Sequence, residues 1–213
     1  MEDYQMYLKL FQETSAEFHK PEVNLLVTVA VHTHQILPEQ IYPALDRVHI
    51  MTYDIPIPRG QTKFTHHAEY KQVVHAIESF VIQGAPPKKL VLGIPCYARH
   101  YENPGDVKTF SEIVDEIKLD SSMDSITKSN LNDITTITNK KDWKKRYKYN
   151  GYVYDSPSRV MKKVQYVKEQ GIGGIFFWEI GQDYQGEDLS SNGGGVLMET
   201  AAISATKFTR QKT

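Results

Sequence analysis

Hydrophobic positions along the chain alternate between helical and strand-like spacing. Tyr4, Tyr7, Leu8, Phe11 and Phe18 fall on one helical face and predict a helix over 4–19, stopped by Pro21. Residues 24–31, NLLVTVAV, are a short apolar run rich in β-branched side chains, the pattern of a strand buried on both faces. PEQIYPALDR reads as a short, weak helix broken by Pro43, and VHIMTYD, 48–54, as a second strand. A strong helix is predicted over 66–84, with Tyr70, Val73, Val74, Ile77 and Val81 inward, Gly84 as its cap, and Pro86 and Pro87 as its stop. KLVLGIPCYAR, 89–99, reads as a third buried strand. Residues 156–171 predict a third strong helix with Ser156 at the N-cap and Pro157 at the first position. GGIFFWEI, 173–180, reads as a fourth strand, and GGGVLMETAAISATKF as a terminal helix. Between 101 and 150 no clear period persists, apart from a short helix at FSEIVDEI.

Strands that alternate with helices imply a parallel sheet in an α/β fold. Two architectures satisfy the order: a doubly wound sheet, or part of a (β/α) barrel. A complete barrel needs eight strands and about 250 residues. Once the irregular stretch is set aside, too little chain remains for more than the four strands seen, so a barrel reading means half a barrel. The expected division is 1–100 as partial barrel, 101–150 as an insertion region, and 151–213 as the last strand with its terminal helices.

Composition narrows the partners. The 213 residues are 40% hydrophobic, enough to fill a core, and their net charge of −1 gives no general pull toward nucleic acid or an anionic membrane. The basic run KKDWKKRYK, 140–148, therefore reads as a solvated loop rather than a nucleic-acid patch. The one cysteine, Cys96, excludes an internal disulfide and reads as packing inside an apolar strand. Gly193–Gly195 lacks the phosphate-loop pattern and reads as a linker, and no cofactor is expected. Met1 is followed by an acidic amphipathic segment, not a signal peptide, and no run is long enough to span a bilayer, so localisation stays open. Thirteen tyrosines suit a sugar-binding or interface surface.

Candidate chemistry sits where the strands end. Ligands of parallel sheets bind at the carboxyl ends of the strands. Here those ends read VHTH, MTYD, CYAR and WEIGQD. Side chains two apart share a face, which pairs Met51 with Tyr53, Tyr97 with Arg99, and Phe176 with Trp178. Tyr, Asp, Arg and Trp at one mouth suit a carbohydrate: rings stack on sugar faces and polar groups bond hydroxyls and amides. Arg99 reads equally as a ligand contact or as the partner of a carboxylate such as Glu179 or Asp183. Glu179 is expected to face outward and Asp183 to cap the following loop. His32 and His34, with His66 and His67, raise a zinc-dependent hydrolase as the runner-up enzyme. No third and fourth ligand lies at convincing spacing, so no metal is assigned.

HIMTYD, KLVLGIPCYAR and GIGGIFFWEIGQD resemble the sixth, seventh and eighth strands of family-18 glycoside hydrolases, the chitinases and chitinase-like lectins, in order and in spacing. The resemblance implies the C-terminal half, strands five to eight, of a TIM (β/α)8 barrel, with a small α+β insertion region after strand seven. It implies chitin or another β-1,4-linked N-acetylglucosamine polymer as the ligand, and cleavage with retention through the substrate's own acetamido oxygen. By motif match Tyr53 would bond that oxygen, and Asp54 would stand beside the acid and touch the sugar. Met51 would pack against the acetamido group, Trp178 would floor the reactive ring, and Tyr97 and Arg99 would line adjoining subsites. The family's acid pattern, D-x-x-D-x-D-x-E at the end of the fourth strand, does not occur in these residues, and Met1 falls where the following helix would begin. Ala98 stands where the family usually has Gly. Negligible hydrolysis by this chain alone is therefore expected; the alternative is a lectin that holds chito-oligosaccharide without cutting it. Unpaired edges of a half barrel also lead us to expect self-association.

Overall fold

The computed structural model describes residues 2–56, 66–119, 147–185 and 195–207. Helix α1, Glu2–Phe18, leads to strand β1, Thr28–His32, a 3-10 turn over Glu39–Ala44, and β2, Arg47–Met51. Next come α2, Tyr70–Ile82; β3, Leu90–Pro95; β4, Tyr97–His100; β5, Val107–Thr109; and α3, Phe110–Leu119. The described chain resumes with β6, Lys148–Tyr149, and β7, Tyr152–Val153. It ends with α4, Pro157–Glu169; β8, Gly174–Trp178; and α5, Val196–Lys207.

Strands β1, β2, β3 and β8 form one parallel sheet in their chain order. A doubly wound sheet reverses its order at a switch point. This one does not, so the winding is that of a (β/α) barrel, here a partial one. The register fixes which side chains share a face. Val48 lies opposite Leu90 and Ile50 opposite Leu92. With Val31 and Ile94 they form a fully covered face against Val73, Ile77 and Phe80 of α2 and Val160, Val164 and Val167 of α4. The other face carries His49, Met51 and Phe176, which are only half-buried. Strands with a two-sided apolar pattern thus have a cover on one side. The reason is geometric: four strands do not close on themselves, so among the described residues the face that would look into a barrel has no strand across from it. Among the described residues, no second parallel neighbour pairs with β1 or β8.

A second, antiparallel sheet has the order β5-β4-β7-β6. It divides the stretch expected as one strand over 89–99. Cys96 is the joint. Its N–H bonds the Trp178 carbonyl at 2.8 Å, within reach of the parallel sheet, and its own carbonyl accepts from Phe110 N at 2.9 Å. The side chain is fully buried, and burial pushes its thiol far above the usual range, so it packs rather than reacts. Other boundaries shift for local reasons. The first strand begins at Thr28 because Asp46 Oδ2 takes the Val27 N–H at 2.7 Å and turns the chain in. Helix α2 begins at Tyr70, not His66, with the Glu69 carboxylate accepting from its first N–H. Val81, expected inward, is 37% exposed. Of the basic run, only Tyr147 and Lys148 are described residues; Gly193 and Gly194 also lie outside them. Among the described residues no helix is long and apolar enough to cross a membrane.

Charge is buried where α4 and α2 begin. Asp155, at 0% exposure, is bonded by the Lys163 ammonium and lies 3.4 Å from Arg159 Nε. Arg159 Nη2 reaches across to Glu69 Oε2 at 3.0 Å and so ties α4 to the start of α2. Burial alone would raise the Asp155 carboxyl; the Lys163 and Arg159 cations hold it ionised instead. Removing one partner of such a pair strands a buried charge. Lys163→Met is expected to lower stability by about 3–5 kcal/mol in urea unfolding. A loss under about 1 kcal/mol would show that Arg159 alone satisfies Asp155.

Candidate functional site

Tyr53 and Asp54 lie just beyond β2, at the carboxyl edge of the parallel sheet. Thr52 anchors this exit: its hydroxyl donates to the Gly93 carbonyl at 2.6 Å. Asp54 then takes a left-handed conformation, φ 53°, which Asp tolerates better than most residues. A fork from β4 holds its carboxylate there. Arg99 Nε donates to Oδ1 at 2.5 Å and Nη2 to Oδ2 at 2.6 Å, while Nη1 donates to the Pro104 carbonyl at 2.6 Å. His67 Nδ1 stands 3.1 Å from Oδ1 on the buried side. Burial would raise this carboxyl, but the hydrogen bonds from His67, Arg99 and Tyr97 outweigh it and keep the pKa well below the usual carboxylate range.

An aromatic cluster fills the space beside the fork. Tyr53, Ala68 and Tyr97 are buried together, with Met51 and Phe176 packed against them. The Tyr53 ring meets Tyr97 edge-on at 6.2 Å and Phe176 at 6.1 Å. Gly93 makes this possible. A Cβ there would stand 2.7 Å from Tyr53 Cε1 and 2.8 Å from Phe176 Cζ. Burial, then the Asp54 charge, pushes the Tyr53 phenol up to about 12, so it is a hydrogen-bond donor at neutral pH. Trp178 lies opposite Pro95 at the end of β8, on the face that carries Phe176, and is 54% exposed.

The candidate residues therefore converge on one end of one sheet. Met51, Tyr53, Asp54, Tyr97 and Arg99 interlock, and Trp178 stands one step farther along β8 with its ring open to solvent. Arg99 pairs with Asp54, not with Glu179 or Asp183, because the break at Cys96 swings β4 across the end of β2. Asp183 is buried and accepts from the N–H groups of Tyr184, Leu197 and Met198, which caps α5. Glu179 is exposed. His32 and His34 stack on each other at 5.6 Å, and His66 and His67 at 5.4 Å. Among the described residues no three His, Cys, Asp or Glu side chains gather as a metal site. Sequence reasoning passed over Phe176, Gly93 and His67 as parts of this site. Phe176 shares a face with Trp178, which was a usable signal. Gly93 and His67 act through long-range contacts that spacing along the chain does not encode. The arrangement presents a ring-lined floor, a phenol donor and a fixed ion pair, which suits a polyhydroxylated ligand with an amide.

Residues 1–183 match the family described as "Glycosyl hydrolases family 18". The chain is 32% identical over 117 residues to class V chitinase CHIT5 of Lotus japonicus, covering 51% of this chain and 30% of that protein. It is 29% identical over 119 residues to endochitinase 1 of Metarhizium robertsii, covering 53% of this chain and 28% of that one. Among solved structures, the GH18 chitinase of Cycas revoluta in complex with (GlcNAc)3 is 27% identical with a TM-score of 0.64, covering 93% of this chain and 62% of the chitinase. The GH18 chitinase ChiB of Flavobacterium johnsoniae, at 22% identity and TM-score 0.68, shares the fold, with 95% of this chain and 56% of that one covered. The chain thus spans under a third of either curated relative and about three-fifths of these solved chitinases.

Two outcomes follow from this geometry. Gly93→Ala is expected to displace Tyr53 or Phe176 and to cost about 1–3 kcal/mol in thermal or urea unfolding; unchanged stability would mean that the rings are not held over β3. Burial keeps His66 and His67 neutral in the folded chain, with pKa values below the 6.5 of the unfolded one. Their contribution is present above pH 6.5 and is lost as pH falls below it, at up to about 1.4 kcal/mol per histidine per pH unit. Asp183, whose carboxyl burial pushes up, works the other way, while half-buried His49, lowered by burial and by the Arg47 charge, adds to the same fall. The melting temperature should fall between pH 7.5 and 5.5, and a flat or rising profile would contradict the two buried neutral rings.

Proposed function

The chain belongs to glycosyl hydrolase family 18, and on that premise we propose that it binds N-acetylglucosamine oligosaccharides of the chitin type across the carboxyl ends of its parallel strands. The observation that carries this reading is the fork from Arg99 to Asp54 beside the buried Tyr53–Tyr97–Phe176 cluster. The Cycas chitinase chains in complex with (GlcNAc)3 and (GlcNAc)4, at 27% and 26% identity, support the choice of sugar. Tyr53 donates to the acetamido oxygen and Met51 packs against its methyl. Trp178 lies under the ring, and Tyr97 and Arg99 line the neighbouring subsites, with Asp54 fixing Arg99 and facing the sugar. The four parallel strands stand for strands five to eight of the barrel, with residues 1–100 and 151–213 as barrel and 101–150 as the insertion region.

Substrate-assisted cleavage needs a carboxylic acid to protonate the leaving oxygen. The pattern D-x-x-D-x-D-x-E does not occur in the 213 residues. Lacking such an acid costs about 10²–10⁴-fold in rate by itself. These residues alone therefore hold the sugar with negligible hydrolysis. The second reading is a chitinase-like lectin that holds chito-oligosaccharide without cleavage. The half-open inner face, together with Met6 at 67%, Leu10 at 58%, Leu25 at 52% and Leu26 at 59% exposure, favours self-association of this chain through its barrel edges.

Titration calorimetry with N,N′,N″-triacetylchitotriose is expected to show binding that Tyr53→Phe and Trp178→Ala each weaken by about tenfold. Equal affinity in all three proteins would remove the site assignment. Chitin oligomers incubated with the chain alone should remain uncut, and brisk turnover would overturn the proposed lack of an acid. Light scattering should report a species larger than 24.4 kDa; a dispersed monomer that melts cooperatively would rule out association through the edges.

A further inference from the structure

The groups that hold Asp54 differ in how open they are to solvent. The Arg99 side chain is 23% exposed and the carboxylate 36%, whereas His67 is wholly buried. A sugar hydroxyl arriving at the mouth competes with Arg99 for the carboxylate and has no route to His67. The tautomer of His67 follows from its partner. An ionised Asp54 only accepts, so His67 Nδ1 carries the hydrogen at the 3.1 Å contact. Nε2 is buried with no partner among the described residues, which suits a bare lone pair better than a second N–H. His66, stacked on it at an interplanar angle of 6°, takes the opposite tautomer: its Nδ1 accepts from Ala68 N at 2.9 Å, and its Nε2 donates to the Tyr154 carbonyl at 2.9 Å. His66 Nε2 is in turn 4.0 Å from Asp155 Oδ1, the carboxylate held by Lys163 and Arg159 of α4. The Tyr97 ring closes the remaining side of His67 at 4.8 Å.

We propose that His67 is a positioning residue of the sugar site: donating from Nδ1, it holds Asp54 from the buried side while ligand hydroxyls exchange with Arg99 on the open side. The proposal rests on the reading of this mouth as an acetamido-sugar site. Asp54 in its left-handed conformation then keeps one fixed orientation whether or not Arg99 stays bonded to it. The charged and titratable groups around the histidine are Asp54, Tyr97, His66, Asp155 and Lys163.

Two measurements on the full chain test it. Long-range 15N correlation spectra of the unsubstituted protein at pH 6.5 should show His67 neutral with its hydrogen on Nδ1; an Nε2–H tautomer would overturn the proposal. The second compares His67→Asn, which keeps an N–H donor near the Nδ1 position, with His67→Phe, which keeps a ring without one. His67→Phe should weaken triacetylchitotriose binding by about tenfold and raise the Asp54 carboxyl titration followed by 13C NMR, and His67→Asn should restore both to within about threefold. Equal behaviour of the two variants, or a folded His67→Phe indistinguishable from the parent, would mean that the ring only fills space. If His67→Phe does not fold, the tautomer and the Asp54 titration of His67→Asn decide. If the parent protein binds no triacetylchitotriose, the sugar reading fails by itself, while the tautomer and the Asp54 titration still decide whether His67 holds Asp54.

Discussion

The two hydrogen bonds from Arg99 to Asp54 are the constraint on which the site depends. They join residues 45 positions apart, one just beyond a parallel strand and one on the small antiparallel sheet. Bidentate guanidinium–carboxylate pairs are directional as well as strong, so the fork sets the angle at which β4 crosses the mouth. That crossing places Tyr97 beside Tyr53, and the pair with Phe176 then has a defined depth over Gly93. A strained backbone at Asp54 is tolerated because its side chain is held by several partners at once.

The sheet explains why such a mouth exists. Four strands in chain order share one covered face, where aliphatic residues from β1 to β3 pack on α2 and α4. The opposite face carries His49, Met51 and Phe176, with no strand facing them among the described residues. A closed barrel would bury that face; here it stays half-open and lends its aromatic groups to the rim. The buried Asp155–Lys163–Arg159 group adds an ionic tie between the start of α4 and Glu69 at the start of α2, and through His66 to the same mouth.

Much of this was legible in the residues. The order of elements, the parallel sheet and the convergence of Met51, Tyr53, Asp54, Tyr97 and Arg99 follow from periodicity and from polar groups at strand ends, because both are local signals. Motif resemblance added the family and the half barrel. What stayed hidden depends on distance in three dimensions. The split of 89–99 at Cys96 could not be read, since an apolar run continues through the joint and only the hydrogen bonds to Trp178 and Phe110 mark it. The partner of Arg99 was left open among carboxylates because pairing across sheets carries no spacing rule. His67 looked like a metal ligand or the first turn of a helix, and its bond to Asp54 spans 13 positions.

A crystal structure of the chain with N,N′,N″-triacetylchitotriose is the most direct test of the claim that this clamped, ring-lined mouth grips an acetamido sugar. The expected result is an acetamido oxygen within hydrogen-bond distance of the Tyr53 hydroxyl and a sugar ring lying on the Trp178 indole. Ordered sugar bound elsewhere, with the mouth filled only by solvent, would contradict it.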